Sequence, residues 1–348
     1  MGAVPNSLII APQWIGDAVM TEPLLRRLAS RGERLTVGAL PWVAPVYRLM
    51  PQVAEVIEFP FAHGGLQFKA RRSLARQFEG RFDTAYVCPN SLKSALLPFL
   101  ASIPKRVGYL GEARVGLLTH RLKNPPKAKR PSMVGFYSAL SGDIDIANDQ
   151  PRLHMQASDI EAALNVIGLR RGAYHVFVPG AEYGPAKRWP ADHFAELALL
   201  LEAPVVLLGS AKELALCNEI TSAVNARQPG HCLNLAGQTS LAQALGAIAA
   251  AKDVVSNDSG LMHVAAALGI HQLAIFGSSS PLHTPPLNAK ATVLWLKNNP
   301  DYRPALDCAP CFERDCPLGH TRCLVDIQAG DVLAHLVPQP ASAMTPYR

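Results

Sequence analysis

Short apolar runs rich in β-branched residues alternate along the chain with segments whose apolar positions recur every three or four residues, the periods of buried strands and amphipathic helices. In the first half the runs are "SLIIAP" (residues 7–12), "RLTVGAL" (34–40), "VAEVIEF" (53–59) and "TAYVCP" (84–89), with helical patterns near 18–30 and 91–100. The basic, glycine-started stretch "HGGLQFKARRSLARQF" (63–78) reads as a loop entering a helix. A second series starts afresh at "YHVFVPG" (174–180). It continues through "PVVLLGS" (204–210), "CLNLAG" (232–237), "DVVSND" (253–258), "HQLAIFG" (271–277) and "ATVLWL" (291–296), with helical patterns at 190–202, 211–226, 240–251 and 260–268. This alternation predicts parallel sheets with helices on both faces, so each half is expected to be a doubly wound α/β domain.

Between the two series lie the Pro- and Lys-rich "KNPPKAKRP" (123–131), a helix-like "SMVGFYSAL" and the polar "ANDQPRLHMQASD". They put a boundary between about 148 and 172, giving expected domains at 1–165 and 172–326 and a closing helix and tail at 327–348. A length of 348 residues suits two domains, each able to bury its own core.

Composition narrows the function classes. The 49% hydrophobic and 17% charged residues are ordinary globular values. Even the charge-free "CLNLAGQTSLAQALGAIAAA" (232–251) is broken by Asn, Gln, Thr, Ser and Gly, so no segment offers the roughly 20 apolar residues of a membrane span. The first residues, "MGAVPNSLIIAPQ", lack the features of a secretory signal, and a cytoplasmic address is expected. A net charge of +6 favours an anionic partner without choosing among nucleic acid, lipid surface and phosphorylated small molecule.

Ligands of doubly wound sheets bind outside the carboxyl ends of the strands, so the strand-to-helix turns are where chemistry is expected. Four consecutive turns of the second half are polar and glycine-bearing: "VPGAEYGPAKRWP" (178–190), "LLGSAKE" (207–213), "NLAGQTS" (234–240) and "SNDSGLMH" (256–263). In the last of these a helix start offers unpaired amides and partial positive charge to a phosphate. Gly260 permits close approach, Ser259 supplies a hydroxyl, and His263 lies on the same face one turn in. Asp258 would repel a phosphate at contact and is expected to bind neutral sugar hydroxyls, while Lys187 and Arg188 supply cations. Gly209 and Ser210 of the second turn join this donor-side set. Each feature also has an ordinary structural role as cap, core histidine or solvated charge. No G-x-G-x-x-G, P-loop, H-E-x-x-H or G-x-S-x-G motif competes. In the first half, Asp17 in "PQWIGDAVM" either caps a helix or presents a general base.

Together "PQWIGDAVM", "PGAEYGPAKRWP" and "VVSNDSGLMHVAAALG", with "YVCPNSLKSALLPFLASIPKRVGY" (86–109) and "HGGLQ" (63–67), resemble the ADP-heptose:lipopolysaccharide heptosyltransferases of glycosyltransferase family 9, most closely the heptosyltransferase II group. The resemblance implies a GT-B fold, two Rossmann-like domains facing across a cleft, with the last helix often packing back onto the first domain. It implies inverting transfer of L-glycero-D-manno-heptose from ADP-heptose to the first heptose of the lipopolysaccharide inner core. It also implies that Asp17 is the base, that Lys187 binds phosphate, and that Asp258, Ser259, Gly260 and His263 form the donor-binding helix start. No cofactor and no tightly held metal are required. Glu213 sits at a shifted spacing from the family's acidic donor contact, and that role is not carried over. Heptosyltransferase I or a sugar-nucleotide epimerase is the alternative, and a noncatalytic module for anionic lipid or nucleic acid ranks below both.

The basic excess finds a use in this setting. Lys69, Arg71, Arg72, Arg76 and Lys93 are candidates for phosphates of the heptosyl-Kdo2-lipid A acceptor or for peripheral contact with the inner membrane leaflet, with Arg71, Arg72 and Lys93 the acceptor-binding choices and a solvated helix face the alternative. No nucleic-acid partner is expected. Cys308-x2-Cys311-x4-Cys316-x6-Cys323, with His320 nearby, reads as reduced thiols or a structural metal site. The metal-free reading is the one adopted.

Overall fold

The computed structural model describes residues 4–62, 65–126, 131–143 and 149–336. The chain forms two compact units, Met1–His154 and Met155–Arg348.

In the first unit the elements run β1 (Asn6–Ile10), α1 (Ile15–Met20), α2 (Glu22–Ser30), β2 (Arg34–Ala39), α3 (Ala44–Tyr47), β3 (Val53–Glu58), α4 (Phe68–Phe78), β4 (Thr84–Val87), α5 (Leu92–Leu100), β5 (Lys105–Tyr109), β6 (His120–Leu122) and α6 (Met133–Ser138). All six strands are parallel, in the order β3-β2-β1-β4-β5-β6. The single helix expected over 18–30 is two helices. Thr21 turns its hydroxyl back to the Ala18 carbonyl (2.7 Å), and Pro23, which has no amide hydrogen to donate, starts a new helix in the first turn of α2.

The second unit runs α7 (Ala157–Ile167), β7 (His175–Val178), α8 (Ala191–Leu200), β8 (Val205–Leu207), α9 (Leu214–Asn225), β9 (Cys232–Asn234), α10 (Leu241–Ala249), β10 (Val254–Asn257), α11 (Gly260–Ala267), β11 (Gln272–Ile275), β12 (Ala291–Leu294), α12 (Arg322–Val325) and α13 (Ala329–Leu336). Its sheet is again six parallel strands, ordered β12-β11-β10-β7-β8-β9. Both sheets thus begin at a central strand, build outward to one edge, then reverse. The reversal leaves a crevice between β1 and β4 in one unit and between β7 and β10 in the other, at the strands' carboxyl ends.

Helices on both faces explain the runs. Strands β4, β7, β10 and β11 are buried at every residue and read as near-continuous apolar segments, whereas the edge strands β3 and β12 are only partly covered. The core of the second unit joins Phe177, Trp189, Phe194 and Leu197 to Val332 and Leu336 of α13. That helix packs on α8 and β11. The remainder of the closing segment expected at 327–348, residues 337–348, lies outside the described residues.

Candidate active site and donor site

In the first unit β1 ends at Ile10, and Pro12, Gln13 and Trp14 turn the chain into α1. Asp17 falls in the first turn of that helix, where the axial dipole favours its charged form. A pocket of about 670 Å³ opens at the sheet's reversal point, lined from the β1 side by Trp14 and Asp17 and from the β4 side by Pro89, Ser91 and Lys93. Asp17 is half-buried in its floor, and the Tyr137 hydroxyl donates to its Oδ1 at 3.0 Å. Three neighbouring acids remain protonated. Burial, then the Asp17 charge, pushes the Cys88 thiol up to about 12. The phenols of Tyr47 and Tyr137 lie well above their ordinary value, chiefly through burial.

One arginine that sequence reasoning passed over organises the rim. Arg114 is fully buried and, among the described residues, has no carboxylate partner in hydrogen-bond reach. Its guanidinium donates instead to the carbonyls of Tyr109 (2.9 Å) and Pro89 (2.5 Å) and to the Asn90 side chain (2.9 Å). It ties the turn after β4 to the turn after β5, and burial lowers it to about 10, which leaves it charged at neutral pH. Glu112, in the same turn, accepts the Leu92 amide at 2.8 Å and lines the pocket with Lys93. Nothing in the pattern of "GYLGEARVG" separates this arginine from a surface charge.

Of the other acceptor-side residues, Lys93 stands in the pocket wall and Arg72 is exposed on α4. Arg71 requires a correction. It is only 7% exposed; its Nε donates to the Leu66 carbonyl at 2.8 Å, and its guanidinium lies 4.1 Å from the centre of the Phe61 ring. It fastens the segment leading into α4, with Leu66 at the pocket, and is not presented to a phosphate. The period of a helix places Arg71 one residue from the solvated face, and a buried arginine stacked on an aromatic looks identical in sequence.

In the second unit the turns after β7 and β10 meet at the reversal point. Asn257, the last residue of β10, is buried; its side chain accepts the Trp189 amide (2.9 Å) and donates to the Pro179 carbonyl (2.7 Å), locking the two turns together. Lys187 then reaches Asp258 with Nζ 2.6 Å from Oδ2, and Thr284 donates to Oδ1 at 3.3 Å. Asp258 is buried and both of its oxygens are engaged. The geometry makes it the residue that holds Lys187.

Ser259 caps α11 in extended conformation without a side-chain cap bond, and its hydroxyl is buried and unpartnered. Gly260 is the first helical residue. His263 follows, its ring pulled down to about 4 by burial; Asp258 opposes this and Lys187 reinforces it. At neutral pH it is an uncharged imidazole that offers hydrogen bonds and no charge. Lys187, Asp258, Ser259, Gly260 and His263 are therefore brought together.

Gly209 and Ser210 form a different feature. Ser210 begins a short helical turn in a capping box: its hydroxyl and amide both donate to Glu213 Oε2, at 2.6 and 2.8 Å. The Glu213 side chain packs against Gly180 and Gly209, where an added Cβ would stand 2.4 and 3.0 Å from its atoms. Ser210 is thus committed to a cap beside the turn that carries Lys187.

The comparisons with known proteins agree with this fold. The profile of glycosyltransferase family 9 (heptosyltransferase) matches residues 71–321. Lipopolysaccharide heptosyltransferase 2 of Escherichia coli K12 is 46% identical over 305 residues, 83% of this chain and 87% of that one. The chain belongs to glycosyltransferase family 9. Lipooligosaccharide heptosyltransferase 2 of Haemophilus influenzae is 39% identical over 309 residues, covering 84% of this chain and 88% of its own. The structure of E. coli ADP-heptose lps heptosyltransferase II superposes with a TM-score of 0.81 at 40% identity, covering 95% of this chain and 97% of that one. The two units are accordingly those of a GT-B glycosyltransferase.

The family profile takes in the whole second-unit site and begins after Asp17. The cysteine segment also lies largely within it. Cys308, Cys311, Cys316, Cys323 and His320 line one cavity of about 20 Å³. Among the described residues, no group of three or more His, Cys, Asp or Glu side chains is arranged to hold a metal ion. Burial, with help from the other three thiols, raises Cys323 to about 11. Cys316 is lowered because backbone amides of residues 318–321 donate to its sulfur and outweigh its burial.

Proposed function

We propose that this family 9 enzyme transfers L-glycero-D-manno-heptose from ADP-heptose to the first heptose of the lipopolysaccharide inner core, with inversion at the anomeric carbon. The similarity to two named heptosyltransferase 2 enzymes over more than four-fifths of the chain carries the reading. The two reversal-point sites give it a mechanism. Asp17, open to the pocket of the first unit, takes the proton of the attacking acceptor hydroxyl as general base. ADP leaves with growing negative charge. Lys187, held by Asp258, and the amides and free hydroxyl at the start of α11 stabilise that charge more in the transition state than in the ground state. His263, neutral at the pH of the reaction, adds a hydrogen-bonding edge.

Lys93 in the pocket wall and Arg72 on the exposed face of α4 meet phosphates of the lipid A and core acceptor. Exposed Leu66, Phe68 and Lys69 supply a peripheral contact with the anionic inner leaflet. No helix among the described residues is long and apolar enough to cross a membrane. The test is incubation of the enzyme and ADP-heptose with Kdo2-lipid A or with its monoheptosylated form, following ADP release and acceptor mass. One added heptose on the monoheptosylated acceptor alone is the expected result. Transfer to bare Kdo2-lipid A would make the chain a heptosyltransferase I, and ADP-heptose consumed without acceptor would make it an epimerase or hydrolase.

A further inference from the structure

Asp17 does not stand alone in its pocket. We propose that Tyr137 is the positioning residue for the base: its phenol holds Asp17 Oδ1 and fixes the plane of the carboxylate against the acceptor. This rests on Asp17 being the base, and it adds a residue that no family motif in the sequence marks.

The donor is buried at 4% exposure and rigidly mounted. Tyr137 sits on α6, a helix capped by Ser132, whose hydroxyl accepts the Gly135 amide at 3.2 Å. The preceding Phe136 stacks on Tyr109 with ring centres 3.9 Å apart and planes 9° from parallel, while the Tyr109 hydroxyl donates to the Phe136 carbonyl at 2.8 Å. The backbone beneath Tyr137 is thereby pinned to β5. A buried phenol needs a partner, and this one finds it in Asp17, 120 residues away in sequence, at 3.0 Å.

Other groups stand around the carboxylate. Tyr47, from α3, hydrogen-bonds Thr21 at 3.1 Å; since the Thr21 hydroxyl donates to Ala18, Tyr47 is the donor in that pair. Cys88, beyond β4, is a weak donor kept protonated by burial and by Asp17 itself. Lys93 and Glu112 stand in the pocket walls. A base on the first turn of a short helix can rotate about two side-chain bonds, and catalysis falls steeply when a reacting group strays by an ångström. The bond from Tyr137 restricts that rotation. Because it is made to the ionised form, it also keeps Asp17 deprotonated at lower pH than burial alone would allow.

The test is Tyr137→Phe, which keeps the ring and removes the hydroxyl, with Tyr47→Phe as the comparison for loss of a neighbouring buried phenol. For Tyr137→Phe, kcat should fall about 10–100-fold while KM for ADP-heptose stays within about twofold. The acid limb of the kcat–pH profile should move upward by about one pH unit, because the ionised base has lost its donor. Tyr47→Phe should leave that limb in place. Should Tyr137→Phe misfold, uniform 3-fluorotyrosine substitution makes the phenol a stronger donor and must move the limb downward. A wild-type kcat in Tyr137→Phe, or a fall in kcat with an unmoved limb, overturns the proposal. Asp17→Asn separates the two readings. Retained turnover there removes the base itself; its loss beside a wild-type-like Tyr137→Phe removes only the role of Tyr137.

Discussion

Lys187 and Asp258 show how little a single residue means apart from its partner. Read in isolation, the lysine is a surface cation and the aspartate a helix cap; 2.6 Å apart, they are one device that aims a positive charge from a buried mount. Removing the lysine by Lys187→Ala should lower kcat by about 10²–10³-fold, in the range found when one preorganised donor to a developing charge is lost. Single-turnover kinetics would show it, and a loss confined to KM would mean that the lysine only binds. Arg71 makes the opposite point. Arg71→Ala should cost about 2 kcal/mol in urea unfolding, from a buried cation–π contact and a hydrogen bond, whereas Arg72→Ala should be neutral to stability. The grouping at the start of α11 was legible in the sequence because its glycine, hydroxyl and acid are adjacent at a helix start. Tyr137 and Arg114 were not, since their partners are brought to them by the sheet and no local spacing records it.

At the scale of elements, the strands most faithfully announced by the sequence are those buried on both faces, such as β1 and β10, whose composition the environment dictates. Strands β5 and β6 are not marked in the pattern because "KRVGY" opens on two basic residues at the less buried start of its strand and "HRL" is a short, largely exposed edge strand. Helix α7 lies in the stretch where the sequence shows only a domain boundary, although it buries Ile160, Ala163 and Leu164 and packs on α10 with Ala163 against Gly246. Its polar flanks drew attention away from a three- to four-residue apolar stripe. The joint between elements that matters most is Asn257. Asn257→Ala should lower stability by about 2–3 kcal/mol, leaving the Trp189 amide and the Pro179 carbonyl buried without their partner. It should also raise KM for ADP-heptose by loosening both turns of the donor site; a melting temperature equal to wild type would contradict this.

For the whole molecule, stability in acid has an identifiable source away from either site. Asp253, at the amino end of β10, is 6% exposed and lies between His175 (3.1 Å) and His271 (2.6 Å). Burial alone would raise its carboxyl, but the hydrogen bond from the His271 imidazole and the adjacent His175 imidazole outweigh that and lower it to about 2. A carboxylate depressed in the folded state stabilises the fold above its unfolded value and loses that contribution as pH falls through the folded one. Between roughly pH 4 and pH 2 the wild type should therefore lose about 2 kcal/mol that Asp253→Asn does not have to lose. Chemical denaturation across that range would check it, and parallel curves for the two proteins would refute it. The division at residue 154 predicts in turn that residues 155–348, with α13 closing their own core, fold alone and retain ADP binding. The measurement that bears most directly on the whole account is donor affinity beside turnover for Asp17→Asn, by calorimetry with ADP and by mass of the heptosylated acceptor. An unchanged Kd for ADP with turnover reduced at least about 10²-fold is the predicted result; turnover near wild type, or loss of ADP binding together with turnover, would contradict it.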